Sequence, residues 1–203
     1  MKWYVPTLCV AAALTAGAAL VGGQASQAQA PKPAAVFTAD GKMEFPKDYR
    51  TWVYLSSGMD MAYGENAGPA NMHVFDNVFV DRAAYAHFEK TGRWPEGAVF
   101  VLEIRGAVAE GSINRRGHFQ TNRMATEVHV KDKRFKSGWA FFNFRGEQPG
   151  TELPQTSPCN VCHEQHAALD TTFVQFYPTL LPIAREKGTL SKAYLDAEKD
   201  AVK

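Results

Sequence analysis

The clearest β-strand pattern in this sequence is the run Ala98-Val99-Phe100-Val101-Leu102-Glu103-Ile104-Arg105. Successive side chains of a strand point to opposite faces, so Phe100, Leu102 and Ile104 share one face. Val99, Val101 and Glu103 share the other face. This stretch therefore predicts one strand of a β-sheet.

Other segments show the same alternation, and turn residues separate them. Further strands are predicted at Tyr49–Leu55, Val74–Val80, Gly117–Arg123, Glu127–Lys131 and Trp139–Phe144. Short helices are predicted at Arg82–Lys90 with Asp81 as N-cap and Gly92 as end, at Pro158–Ala168, and at Thr171–Phe176 with Asp170 as cap. The stretch Ser56–Asn71 is rich in Gly, Met, Ser and Asn and is predicted to be a loop. About six strands with helices at the edges indicate an α+β fold with a mainly antiparallel sheet.

The predicted helix Pro158–Ala168 contains Cys159-Asn160-Val161-Cys162-His163, the C-x-x-C-H form of a c-type haem attachment site. Two thiols one helical turn apart can each add to a haem vinyl group, and the adjacent histidine can supply an axial nitrogen ligand. A redox disulfide or half of a zinc site would also use C-x-x-C, but neither needs the histidine. The only other cysteine is Cys9, near the N-terminus. We therefore predict one covalent haem c on this late helix, held by Cys159, Cys162 and His163, with His163 as the iron ligand.

The N-terminal segment has the order of a secretory signal peptide. Lys2 is followed by an apolar run from about Val5 to Val21 and then by small residues up to Ala30. We predict cleavage after Ala28 and a periplasmic location. A retained membrane anchor is the alternative, although the run is short and Ala-rich. The predicted organisation is a signal peptide at 1–28, a flexible Pro/Ala-rich lead-in at 29–40, a haem domain at 41–187 and a polar tail at 188–203.

The charge balance argues against a nucleic-acid partner. The chain has 22 Lys and Arg against 21 Asp and Glu, and removal of residues 1–28 takes away Lys2 alone. A chain without net charge has no electrostatic attraction for a phosphate backbone. The 175 residues that remain of 203 after removal of 28 are enough for one domain with a substantial core.

The positions of the methionines bear on the second axial position of the iron. All six methionines precede the haem motif: Met1, Met43, Met59, Met61, Met72 and Met124. This order rules out a downstream methionine ligand, the arrangement of small electron-transfer cytochromes. Met59, Met61, Met72 or the adjacent His73 are the upstream candidates for a sixth ligand; otherwise the methionines pack in the core or against the haem. Without such a ligand, the distal position is open to a small molecule.

Taken in order, a series of short segments resembles the cytochrome P-460 family, which also contains the cytochromes c′-beta. The similarity runs from about Phe45 to Leu181 and includes Phe45–Trp52, Asn77–Asp81, Thr91–Gly97, Val101–Glu103, Val130–Asp132, Gly138–Phe141, the haem motif and Gln175–Pro178. The resemblance implies a mainly antiparallel β fold, a homodimer, and a five-coordinate haem c with His163 as the proximal ligand. It also implies a small nitrogen-containing ligand, because family members bind nitric oxide or oxidise hydroxylamine.

The resemblance further implies two distal residues and one departure. Glu103 matches an acid over the iron and Arg50 an arginine near the haem, which makes them the candidate catalytic residues. Alternatively, Glu103 is a surface residue paired with Arg105 or a cross-strand cation, and Arg50 forms an ion pair or contacts a haem propionate. The oxidising branch of the family carries a lysine cross-linked to the porphyrin. Its position here is Asp76, and the segment 71–81 contains no lysine, so we predict no cross-link.

Three functions are compatible with these features. The first is an exported haem protein that binds or detoxifies nitric oxide or a related ligand. The second is an oxidoreductase that acts on hydroxylamine, with Glu103 as a proton relay. The third is an electron-transfer protein with a methionine or His73 as the sixth ligand. A redox-partner cytochrome is a further candidate partner.

Overall fold

A computed structural model of the chain describes residues 33–61 and 72–201, together with Met1. Its central feature is a six-stranded antiparallel sheet in which each strand pairs with its neighbours in sequence. The strands are β1 (Val53–Met59), β2 (Val74–Val80), β3 (Val99–Val108), β4 (Phe119–Lys131), β5 (Trp139–Phe144) and β6 (Thr151–Glu152). The predicted α+β class with a mainly antiparallel sheet is confirmed.

The helices are short and follow their sequence signals. In the described residues the α-helices are α1 (Arg82–Thr91), α2 (Pro158–His166), α3 (Leu181–Glu186) and α4 (Lys192–Ala201), with 3-10 turns at Tyr49–Thr51 and Val174–Phe176. As predicted, Asp81 caps α1 by accepting a hydrogen bond from the Ala84 backbone N–H at 2.8 Å. Gly92 ends α1 with a left-handed φ of 68°. None of these helices has the length and apolar character needed to cross a bilayer.

Both faces of the sheet are covered. On one face, Phe100 packs in a buried cluster with Phe88 of α1, Ala184 of α3 and Leu169. On the other face, the central strands pack against the segment before β1, in a second buried cluster: Val99, Val101, Val128, Phe142, Met43, Phe45 and Tyr49. We call these the helix-covered face and the N-terminal face.

The strand register decides which polar side chains share each face. On the helix-covered face, Phe100 pairs with His129, which pairs with Phe141. The next row on the same face is Val78, Leu102 and Glu127. The row that follows it along the strands, on the N-terminal face, is Asn77, Glu103 and Thr126. The two rows on the helix-covered face lie beneath α2 and form part of the candidate site described below.

The structure differs most from the predicted elements at three places. The first strand begins at Val53 rather than Tyr49, and it continues through Met59 into the predicted loop because Ser57 pairs with Asn77 of β2. The segments Gly117–Arg123 and Glu127–Lys131 belong to one continuous strand, β4. The predicted helix Thr171–Phe176 is reduced to the 3-10 turn Val174–Phe176. Asp170 does not cap it, because Asp170 and Thr171 have left-handed φ values of 49° and 57°.

Two predicted segments fall partly or wholly outside the described residues. The predicted signal peptide lies outside them except for Met1, and so do residues 62–71 of the predicted loop. The predicted lead-in is described from Pro33 onward, and there the Phe37 ring packs edge-on against Phe142 with centroids 5.8 Å apart. In the predicted tail, Tyr194 and Leu195 of α4 pack against the core of the helix-covered face.

Candidate functional site

A cavity of about 380 Å³ lies between the helix-covered face, α2 and residues 172–177. The sheet contributes Val78, Leu102, Ile104 and Phe141 to its wall. The opposite wall is formed by Cys159, Cys162 and His163 of α2 together with Phe173, Phe176 and Tyr177. The three functional side chains of the C-x-x-C-H motif therefore face a largely apolar space.

The start of α2 orients the two cysteines. Ser157 is the N-cap and accepts a hydrogen bond from the Asn160 backbone N–H at 3.4 Å. Pro158 occupies the first position of the helix, where its missing N–H costs no hydrogen bond. Cys159 and Cys162 are three residues apart, which places them on the same side of the helix. Both are free of disulfide bonds. Burial raises the pKa of the Cys159 thiol, and the nearby Glu127 carboxylate raises it further.

The His163 side chain is held in one tautomer. Its Nδ1 lies 2.7 Å from the backbone carbonyl oxygen of Thr171. A carbonyl oxygen only accepts, so Nδ1 carries the proton and Nε2 keeps a free lone pair. Burial lowers the pKa of His163, which favours the neutral ring. A neutral imidazole with a free nitrogen is the form that binds a metal.

This donor set fits a haem. Two thiols and a neutral imidazole stand on one short helix, and aromatic rings surround the imidazole: the Phe173 centroid is 4.2 Å and the Phe141 centroid 4.7 Å from that of His163. A porphyrin requires an apolar, aromatic-walled cavity with one axial donor, and this cavity provides both.

Comparison with known proteins agrees with this geometry. A family model described as Cytochrome P460 matches residues 46–174, which is more than half of the chain. The chain belongs to the cytochrome P460 family. Family membership implies a haem cofactor and indicates hydroxylamine or nitric oxide chemistry. A search of curated proteins finds no match to the chain.

Two carboxylates of this cytochrome P460 family protein line the cavity. The sequence did not identify Glu127 as a site residue, and it identified Asp76 only as the position of the cross-linking lysine. They are Glu127 of β4 and Asp76 of β2. Burial raises the pKa of each, and the negative charge of Asp76 raises that of Glu127 further. Both groups therefore hold a proton at higher pH than an ordinary carboxyl. The sequence signal that could have identified Glu127 is its spacing of two residues from His129, which places both side chains on one face of the strand.

A second histidine, His129, lies beside His163 in this family member. Its ring stacks on Phe141 with centroids 3.9 Å apart and an interplanar angle of 9°. The centroids of the two histidine rings are 5.1 Å apart. Burial lowers the pKa of His129 well below its ordinary value, and the proximity of His163 lowers it further. His129 is thus a neutral part of the cavity wall.

Among the described residues, those that line the cavity do not include Glu103 or Arg50, the predicted catalytic residues. Glu103 is buried on the N-terminal face, where it accepts hydrogen bonds from the Tyr49 hydroxyl and from Arg50. Arg105 donates to its other oxygen at 3.3 Å. The physical reason is strand parity, since Glu103 alternates with the cavity-lining Leu102 and Ile104.

Of the candidate sixth ligands, the structure places Met61 at the cavity wall, next to Gly58. Met59 and Met72 are exposed. His73 is outside the wall, with Nδ1 2.7 Å from an Asp60 carboxylate oxygen. Among the described residues that line the cavity there is no lysine, and the position predicted to correspond to the cross-linking lysine is Asp76.

Proposed function

We propose that this protein is an exported mono-haem c-type cytochrome that binds or transforms a small nitrogen-containing ligand, nitric oxide or hydroxylamine. Cys159 and Cys162 would attach the haem, and His163 would be its proximal ligand. The observation that carries the proposal is the shared orientation of these three side chains toward one apolar cavity. The absence of lysine from the sequence segment 71–81 supports a haem without the cross-link.

The haem, when bound, supplies an iron with one-electron redox chemistry and a coordination position for a small ligand. The chain supplies the environment. His163 Nδ1 is held by the Thr171 carbonyl, so Nε2 is presented in a fixed orientation. Leu102, Ile104 and Phe141 exclude water from the cavity wall, which strengthens electrostatic interactions inside it.

Proton handling is assigned to Glu127 and Asp76 rather than to Glu103. Oxidation of hydroxylamine releases protons, and a carboxylate at the wall can accept one. The raised pKa of Glu127 brings it closer to neutral pH, where proton transfer is most effective. Glu103 and Arg50 are engaged with one another on the opposite face.

A second candidate function, electron transfer, is favoured by one observation. Met61 is the candidate sixth ligand that the structure places in the lining of the same cavity as His163. In that case the iron would be six-coordinate, and the partner would be a redox cytochrome rather than a small ligand. The family also implies a homodimer, which we retain as part of the proposal.

The visible spectrum of protein from a host that matures c-type cytochromes separates the candidates. A high-spin spectrum that shifts on addition of nitric oxide supports the open site. Hydroxylamine-dependent reduction of an acceptor dye supports the oxidising activity. A low-spin spectrum that becomes high-spin in Met61→Leu, but not in the exposed control Met59→Leu, supports electron transfer.

Attachment is tested by variants of the motif. Cys159→Ala with Cys162→Ala should abolish covalent haem, read as the loss of the macrocycle mass from the denatured chain. His163→Ala should change the ligation, whereas His166→Ala should not, because His166 is exposed one turn later on the same helix. A colourless wild-type protein without added mass would overturn both candidate functions.

A further inference from the structure

The chain makes an unusual turn directly after α2. Leu169 and Thr172 pair through two backbone hydrogen bonds, Thr172 N–H to Leu169 O at 2.8 Å and Leu169 N–H to Thr172 O at 3.3 Å. The two residues between them, Asp170 and Thr171, both have left-handed φ values, 49° and 57°. Turns of this kind normally use Asn-Gly or Asp-Gly. A β-branched threonine is strained in this left-handed conformation.

Contacts from distant strands hold this turn in place. The Asp170 carboxylate accepts a hydrogen bond from the Trp139 indole N–H at 3.1 Å and forms an ion pair with Lys131. The Lys131 ammonium also donates to the Trp94 backbone carbonyl at 3.2 Å. The Trp94 indole N–H in turn donates to the Thr172 hydroxyl at 2.8 Å. Lys131 of β4, Trp139 of β5 and the loop residue Trp94 therefore hold two of the four turn residues, Asp170 and Thr172.

The group that this turn presents to the site is the Thr171 carbonyl. It accepts the hydrogen bond from His163 Nδ1 at 2.7 Å. The Thr171 hydroxyl lies 3.4 Å from Nε2 of the cavity-lining His129. The strained residue is thus the one that contacts both histidines. Backbone strain persists where the surrounding structure over-determines it, and such sites are often functional.

We propose that Asp170 is a positioning residue for the proximal ligand: it anchors the 169–172 turn to Lys131 and Trp139, and the turn sets the strength of the His163 Nδ1 hydrogen bond. This inference rests on the proposed haem site. A hydrogen bond from Nδ1–H to an acceptor makes the imidazole a more basic ligand. The anchor therefore tunes the iron through the carbonyl, without Asp170 contacting the haem.

The test uses the haem-loaded full chain and compares wild type with Asp170→Ala, Asp170→Asn and Lys131→Met. The readouts are the midpoint potential and the iron–histidine stretching frequency of the ferrous protein. Asp170→Ala should raise the potential and lower the frequency, because a loosened carbonyl leaves His163 a weaker donor. Asp170→Asn keeps an oxygen for Trp139 and should shift both readouts less. The matched control is Asp196→Asn, which removes exposed ion pairs on α4 and should shift neither.

The outcomes separate this inference from the proposed function. Unchanged potential and frequency in a folded Asp170→Ala protein would overturn the inference and leave the haem site intact. If Asp170→Ala does not fold, Lys131→Met and Asp170→Asn decide in the same way. A loss of unfolding free energy with unshifted haem signals would reduce Asp170 to a structural role and count against the inference. The potential is informative whether or not Met61 binds the iron, whereas a colourless wild type would overturn both proposals.

Discussion

Glu103→Gln is the substitution that most directly tests whether Glu103 lies on the N-terminal face and Glu127 at the cavity. Glu103 is buried on the N-terminal face and accepts hydrogen bonds from Tyr49, Arg50 and Arg105. The glutamine has nearly the same shape but no charge. The change should therefore destabilise the fold and leave the cavity on the other face unaltered.

The expected magnitude follows from the three donors. A hydrogen bond to a charged group contributes about 1.5–3 kcal/mol to stability. The Tyr49 hydroxyl can still donate to the amide oxygen, and the Arg50 side chain, 55% exposed, can be solvated after the charge is lost. The net loss should therefore correspond to about one charged hydrogen bond, roughly 2 kcal/mol. For a domain of this size that lowers Tm by about 4–8 °C.

The assay is urea unfolding at pH 7 together with a nitric oxide titration and a dye-reduction assay with hydroxylamine. Glu103→Gln should unfold at lower urea and bind or turn over ligand as the wild type does. The matched control is Glu127→Gln, which should lower turnover while the haem content is retained. Reversal of this pattern, with Glu103→Gln fully stable but inactive, would refute the assignment of Glu103 to the face opposite the cavity.

Three further predictions concern stability. Burial raises the folded-state pKa of Glu127 above 4.5, so the wild type is most stable when this group is protonated and loses stability as pH rises through that pKa. Glu127→Gln should remove this loss, about 1.4 kcal/mol for each pH unit between the folded and unfolded pKa. Equal pH dependence of urea unfolding in both proteins would contradict this. Phe142→Ala, at a fully buried position, should cost about 3–5 kcal/mol in the same assay, and a cost under 1 kcal/mol would contradict the described core. Asp81→Ala removes the acceptor of the Ala84 and Val99 backbone N–H groups and should cost about 2 kcal/mol by thermal unfolding. An unchanged Tm would show that Asp81 is not a cap.

The sequence interpretation succeeded where the signal is local. Alternation located β2 and β5 at Val74–Val80 and Trp139–Phe144 with the observed bounds. Asp81 and Gly92 mark the two ends of α1 because capping depends on neighbouring backbone groups alone. The C-x-x-C-H motif likewise needs only its own helix to bring its side chains to one side.

The local pattern did not decide which face of the sheet lines the cavity. In β4, Val128 and Val130 identify an apolar face, so the alternating face of Glu127 and His129 has the pattern of a solvent-facing side. In the fold that side faces the cavity, because α2 and residues 172–177 cover it. Glu103 shows the converse case: the family resemblance implies a distal position, and the structure places this carboxylate on the N-terminal face, where Tyr49, Arg50 and Arg105 donate to it.

The sequence alone determined the positions of most strands, the cap residues of α1 and the haem-binding motif, because each of these signals lies in contiguous residues. Long-range packing decided which face of the sheet lines the cavity. Alternation in a strand defines two faces, but it does not determine which segment of the chain packs on each face. The turn at Asp170 and Thr171 has the same origin. Its left-handed backbone is held by Trp139 and Lys131, 31 and 39 positions away in sequence, and no local preference of Asp-Thr would produce it.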